Sequence, residues 1–276
     1  MEIPTEAQFI EALSTYRKKW PNDGYFGTHQ RFVETYSLLR SFYRGGKIVD
    51  VGGWPGDFSC ALAELKFDVL LIDKDLRRPT AKVYDEATGK WVLSGTVPLT
   101  EKCRQYGIET LQCDLEHEPI PLEDSSVKFI VFTEVLEHLR VAPLKVLREL
   151  RRILKPEGRL LLTTPNLLSL RNRISFMTGQ AKYDTLEMPF DALAAEERIG
   201  HAGHFRVFSM AELLHLLQHC GFLTINHTYK QITHAQNENF NFSFYSMRMK
   251  LWNKITKWIY PLGNTLCVVV ERNGDS

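Results

Sequence analysis

The sequence has no stretch approaching the ~18 apolar residues of a membrane-spanning helix. Its opening, MEIPTEAQFIEAL, carries acids where a signal peptide would have an apolar core. A cytoplasmic protein is therefore expected. There is no excess of either charge: 34 Lys and Arg stand against 33 Asp and Glu, a formal net charge of +1. No overall field draws the molecule toward nucleic acid or anionic lipid, so either partner would need a local patch. The five cysteines (Cys60, Cys103, Cys113, Cys220, Cys267) are odd in number, widely spaced and free of any C-x-x-C pair. That argues against a disulfide framework and a thiolate metal knuckle, and for a reducing compartment. What is present, 276 residues with 44% hydrophobic and 24% charged composition, fits one large globular domain or one domain with an appendage.

Between residues 47 and 164, short β-rich runs (KIVDV, DVLLID, ETLQCD, VKFIVF, GRLLLTT) alternate with helix-like stretches. This alternation predicts an α/β fold, a parallel sheet with helices on both faces. The helix after the first strand is expected to start near Pro55, since proline suits a first helical position. In PLKVLRELRRILKPEGR, Leu144, Val146, Leu147, Leu150 and Leu154 share one face, with a Pro-Glu-Gly stop beyond. Residues 1–46 read as two helices forming an N-terminal cap, and residues 77–108 as a connection containing a hairpin around EATGK. Further on, SMAELLHLLQHCGF is a helix capped by Ser209 and Gly221.

The segment VDVGGWPGDF places a glycine loop at the carboxyl end of the first strand, where open α/β sheets bind ligands. A dinucleotide fingerprint cannot be laid on it, because Trp54 and Asp57 stand where G-x-G-x-x-G needs glycine. The phosphate loop's Gly-Lys followed by Ser or Thr is also absent. Asp50 and Asp57 flank the loop and would repel a pyrophosphate, whereas a cationic amine would be favoured.

VDVGGWPGDF, followed in order by LLIDKD, LQCDLEHEPIPLEDSSVKFIVFTEVLEHL and LKPEGRLLLTTPN, resembles the class I S-adenosylmethionine-dependent methyltransferases over about residues 47–166. The resemblance extends more weakly to GHFRVFSMAELLHLLQHCGF. It implies a doubly wound Rossmann-like sheet of seven strands, mostly parallel with an antiparallel last strand. The domain would span residues 47–276, with 167–205 and 240–260 covering the substrate side. It also implies S-adenosyl-L-methionine as cofactor. Asp50, Gly52, Gly53, Trp54 and Gly56 would then bed the methionine portion, and Asp73 would accept the ribose hydroxyls. Asp114 with Leu115 would take the adenine, and Thr133 and Glu134 would lie beside the methyl. Plainer readings exist, with Asp73 a turn residue, Asp114 a helix cap, and Glu137 and His138 a helical acid and a packing histidine. Three positions depart from the family pattern: Trp54 for a small residue, Lys128 for an aspartate, and Glu157 for the first glycine of a pair.

A hydroxyl acceptor needs a base, and the candidates are His204, His138, His201 and His29, with His204 favoured because HAGHFRVFS precedes the helix that resemblance places over the acceptor. No metal is expected at His201 and His204 or at His215 and His219, since no neighbouring acid or Cys completes a set. TPNLLSLRNRISFMTGQ and HFRVFSMAELLHLLQHCGF resemble methyltransferases that act on quinone precursors, sugars or lipid-linked glycans, so the resemblance implies a small-molecule, quinone, sugar or lipid-linked acceptor. The Gly-Trp-Pro-Gly-Asp-Phe turn also resembles that of RNA ribose 2′-O-methyltransferases, but those carry a Lys-Asp-Lys set and this chain has FTEVLEHL after the fourth strand. Nucleic acid is accordingly disfavoured, and the basic face Arg148, Arg151, Arg152, Lys155 reads as solvated surface. A cofactor-binding protein without turnover is the other alternative. Residues 246–260, basic and Trp-bearing, read as either a lid or a peripheral membrane contact.

Overall fold

The computed structural model describes residues 3–20, 29–77, 82–85, 90–93, 97–140, 143–179, 204–232 and 262–274. Helices α1 (Glu6–Lys19) and α2 (His29–Phe42) precede strand β1 (Ile48–Val51). There follow α3 (Asp57–Glu64), β2 (Val69–Asp73), β3 (Lys82–Asp85), β4 (Lys90–Leu93), α4 (Leu99–Gln105), β5 (Glu109–Gln112) and β6 (Val127–Thr133). A 3-10 turn (Leu136–His138) leads to α5 (Pro143–Ile153), β7 (Leu154–Pro165) and α6 (Leu170–Met177). The last elements are α7 (Met210–His219), β8 (Phe222–Lys230) and β9 (Thr265–Arg272).

The main sheet has seven strands in the order β5-β2-β1-β6-β7-β9-β8. All neighbours from β5 to β7 pair in parallel, and β9 is antiparallel to both β7 and β8. Strand β1 lies centrally, with Asp50 opposite Leu71 of β2 and Val131 of β6. This is the doubly wound arrangement with one reversed strand that the family resemblance implied. The expected hairpin is also present, β3 pairing antiparallel with β4 as Asp85 opposite Lys90.

Strand periodicity splits the core in two. Val49, Val51, Ile130, Phe132, Leu160 and Leu162 point to one face, where Val146, Leu147 and Leu150 of α5 and Leu213 and Leu217 of α7 cover them. Ile48, Leu71, Phe129, Val131 and Leu161 point to the other, against Phe9 and Leu13 of α1, Tyr36 and Leu39 of α2, Leu62 of α3 and Cys103 of α4. The N-terminal helices therefore complete a helical layer on one sheet face. Phe9 stacks on Tyr36 with ring centroids 4.2 Å apart, and α1 begins in a Thr5–Gln8 capping box.

Local termini follow their sequence signals with two exceptions, of which one is α5: it ends at Ile153, and Leu154, expected on its apolar face, begins β7. Helix α7 has the Ser209–Glu212 capping box at its start, and Gly221 at φ 81° lies just past its end. The helix after β1 starts at Asp57 rather than near Pro55, because Gly56 at φ 96° is its N-cap and Pro55 belongs to the preceding turn, after a cis Trp54–Pro55 peptide. Among the described residues no helix is long and apolar enough to cross a membrane. Residues 240–260, which include the basic 246–260 stretch, and 180–203 within the other expected substrate-side cover lie outside the described residues.

Candidate functional site

The carboxyl ends of the parallel strands gather most of the polar residues singled out in the sequence. Asp50, on β1, is 3% exposed and accepts a hydrogen bond from the Ser59 hydroxyl at 2.6 Å. Burial pushes its pKa up to about 6, the Asp73 charge adds to that, and Ser59 and Arg31 oppose it. The loop that follows is close-packed. Gly52 at φ 75° has room for no side chain, since a Cβ would meet Val135 Cγ2 at 2.4 Å; one on Gly53 would meet Asp50 Oδ2 at 2.8 Å. Gly56 closes the turn, its N–H donating to Gly53 O at 2.8 Å.

Asp73 ends β2, and its carboxylate accepts the backbone N–H groups of Trp54 at 3.2 Å and Asp75 at 3.3 Å. One side chain thus links the glycine loop to the second strand end. The Trp54 indole packs, partly buried, against the helical layer that holds α1 and α2. Asp114, just past β5, accepts from Lys74 Nζ at 2.8 Å and from the Glu116 N–H at 3.2 Å, and lies 3.1 Å from His117 Nδ1. Burial opposes its ionisation, but the bonds from Lys74, His117 and Glu116 outweigh that and hold its pKa below the ordinary carboxylate value. Leu115 beside it is buried in the core.

Asp57, the second acid expected to repel a pyrophosphate, has a side chain 1% exposed and 4.0 Å from Arg17. Its charge is directed to the N-terminal helices instead, an electrostatic pairing made only by the tertiary fold. His29 sits in the same group, its Nδ1 3.5 Å from Arg17 Nη1. Burial and then the Arg17 charge lower its pKa.

The second half of the edge follows β6. Thr133 ends the strand opposite Thr163 of β7. Glu134 adopts φ 57°, a left-handed conformation that costs a non-glycine residue energy and is common where a site constrains the chain. It is held there by its N–H to Thr163 O at 2.9 Å, by the Thr163 hydroxyl at 2.9 Å and by Arg31 at 3.8 Å. In the next turn Glu137 is fully buried, accepting from the Thr164 hydroxyl at 3.0 Å. Burial, then the nearby Glu134, pushes its pKa well up, against its own backbone N–H, the Thr164 hydroxyl and Arg31.

His138 and His204, the two favoured catalytic histidines, meet with ring centroids 5.0 Å apart. They are joined because Phe205 N–H donates to Glu137 O at 2.7 Å, laying residues 204–206 over the 3-10 turn. Glu137 completes a group with them in which the potential ligand atoms all lie within 4.8 Å. His201 is outside the described residues, and His215 and His219 are exposed on α7. Sequence reasoning missed Ser59, Arg31, Thr163 and Thr164 altogether and gave Glu137 only a helical role; the paired hydroxyls of LLLTTP at a strand end were the available signal.

Of the basic residues expected as solvated surface, Arg148 of α5 is exposed, whereas Arg151 and Arg152 are partly buried and bonded. Arg152 bonds Glu149, Asp124 and the carbonyls of Ile120 and Leu122, and Arg151 bonds the carbonyls of Gly221 and Asn273. These arginines line a cavity of about 490 Å³ with Arg148, His219 and Arg272, at the edge of the sheet opposite to the one that carries Asp50, Asp73 and Asp114.

A family profile described as a methyltransferase domain matches residues 26–227. The chain belongs to this family, within the class I S-adenosylmethionine-dependent methyltransferases, whose cofactor is S-adenosylmethionine. No curated protein matches the chain. Among solved structures, a Haloferax volcanii protein in complex with the Trm112 methyltransferase activator is 17% identical, covering 91% of this chain and 93% of that one, TM-score 0.55. A Thermotoga maritima S-adenosylmethionine-dependent methyltransferase is 16% identical, covering 97% and 99%, TM-score 0.53. The [4+2]-cyclase SpnF, at 15% identity, 88% and 80% coverage and TM-score 0.52, has the same fold with a different chemistry in its name. At such identities these likenesses concern the fold.

Proposed function

We propose that the chain transfers the methyl group of S-adenosylmethionine to a small-molecule, sugar or lipid-linked acceptor. The observation that carries this reading is the row of Asp50, Asp73 and Asp114 at successive strand ends beside a glycine turn too tight for side chains. The donor set suits the cofactor. Buried Asp50 offers a carboxylate to an ammonium group, Asp73 can accept from a pair of ribose hydroxyls, and Asp114 with the Leu115 N–H can pair with an adenine edge. Gly52, Gly53 and Gly56 let the backbone approach closely, and Trp54 would lie against the methionine end.

Bound cofactor supplies an electrophilic methyl on sulfur. The protein's part is to hold an acceptor atom in line with that methyl, keep water out and, for a hydroxyl, help remove a proton. Thr133 and Glu134 would stand nearest the methyl, and His138 and His204 would face the acceptor. The test is calorimetry with S-adenosylmethionine and its demethylated product. Wild-type protein should bind both, and Asp73→Ala should weaken binding at least about tenfold, the worth of one charge-assisted hydrogen bond. Absence of binding by the wild type would overturn the reading.

A further inference from the structure

We propose that Glu137, His138 and His204 form a binding site for a divalent transition-metal ion, through one carboxylate oxygen and two imidazole nitrogens. Their ligand atoms already lie within 4.8 Å of one another. Metal–ligand bonds of about 2.0–2.2 Å in a tetrahedral arrangement set ligand atoms roughly 3.3–3.6 Å apart. Small side-chain rotations of the two partly exposed histidines would close the set around an ion.

The strongest pointer is one atom. Glu137 Oε1 belongs to a side chain with 0% exposure, has no hydrogen-bond partner, and lies 3.9 Å from His138 Nε2. A buried carboxylate oxygen left in that state is costly unless something binds it. The two imidazoles beside it select a transition metal over Mg²⁺ or Ca²⁺, which prefer all-oxygen ligands. The other oxygen, Oε2, accepts the Thr164 hydroxyl at 3.0 Å, an outer contact that fixes the carboxylate's direction.

The site is also built by long-range structure. Phe205 N–H is bonded to the Glu137 carbonyl, and Leu167 N–H to Phe208 O at 2.9 Å, so the segment carrying His204 is pinned to the end of β7 as well as to the 3-10 turn. Three protein ligands leave a coordination position open, as in catalytic rather than structural sites. The use of that position rests on the proposed methyltransferase function, although the ion site does not. A hydroxyl acceptor held there would release its proton to solvent more readily and form the new O–C bond, while the C–S electron pair stays on the thioether sulfur.

The full chain, stripped of metal with a chelator, should bind one equivalent of Co²⁺ with visible d–d absorption, displaced by Zn²⁺ but not by excess Mg²⁺. The positioning variant Thr164→Val should weaken Co²⁺ binding roughly 10- to 100-fold, and His138→Ala and His204→Ala at least as much. Binding of the demethylated cofactor by calorimetry should be unchanged in all three, which also reports that they fold. No Co²⁺ spectrum in the wild type, displacement by Mg²⁺, or an unchanged spectrum in His204→Ala overturns the ion site. Wild-type protein that binds Co²⁺ but neither form of the cofactor overturns the proposed function and leaves the ion site standing.

Discussion

Asp50, Asp73 and Asp114 are each carried to the edge by their own strand, whereas Glu137, His138 and His204 come together only where a distant segment crosses the turn after β6. The first group is tied by short links. Trp54 N–H reaches Asp73 from the neighbouring loop, and Ser59 reaches Asp50 from the first turns of α3. The second group depends on the Phe205 N–H to Glu137 O bond between parts of the chain far apart in sequence. One half of the edge is thus a property of the β1–β5 units, and the other a property of the assembled sheet. If the two halves are independent, substitutions in one should leave ligand binding at the other untouched.

The largest expected effect is at Gly52. In Gly52→Ala the new methyl would overlap Val135 and the backbone is in the left-handed region, so a loss of roughly 2–5 kcal/mol is expected. Urea denaturation measures it. Because Val135 immediately precedes the 3-10 turn, this is the one substitution in the cofactor half expected to disturb the acceptor half too; Co²⁺ binding that survives it intact would show the two halves to be uncoupled.

Ser59→Ala should cost about 1.5–3 kcal/mol near neutral pH by leaving the buried Asp50 carboxylate without its hydroxyl donor. The pH sense follows from the raised pKa. In the folded protein Asp50 holds its proton up to about pH 6, against an ordinary value of 3.8, so its burial costs stability above about 6 and the cost is relieved as pH falls toward 3.8. The Ser59→Ala penalty should therefore shrink in denaturation curves recorded below pH 6. Cofactor affinity should move the other way, weakening as pH falls through about 6, because a protonated Asp50 no longer attracts an ammonium group. A flat calorimetric profile across that range would remove Asp50 from the cofactor set.

The smallest effect lies outside both halves. Glu157 adopts φ 60° in the turn leading into the long central part of β7. Glu157→Gly should raise stability by about 0.5–1 kcal/mol without altering either binding event, since glycine takes that conformation at little cost. Denaturation midpoints with paired calorimetry measure it, and any change in cofactor affinity would mean the strain is transmitted to the edge.

Much of the fold was legible because buried strands and amphipathic helices leave periodic traces. KIVDV, DVLLID, VKFIVF and GRLLLTT are all strands of the sheet, and the α5 pattern of Val146, Leu147 and Leu150 faces its core. The start of α3 was misplaced because Pro55 is compatible with a helix start, yet Gly56 alone can take the φ of 96° that caps it. The partners of Asp57 and of the α5 arginines were not legible, since Arg17, Asp124, Gly221 and Asn273 lie on other elements and ion pairing has no sequence period.

By itself the sequence determined the parallel α/β sheet and the glycine loop that follows its first strand, because hydrophobic alternation and turn residues are written within a few residues, while the reversed strand and the choice of Asp73 and Asp114 came from the family resemblance. Only the tertiary structure decided that Glu137 is buried with an unpaired oxygen, and that His138 and His204 share its surroundings. Those outcomes depend on which distant backbone groups close over a turn, and desolvation of a carboxylate is set by the whole surrounding shell rather than by its neighbours in the chain.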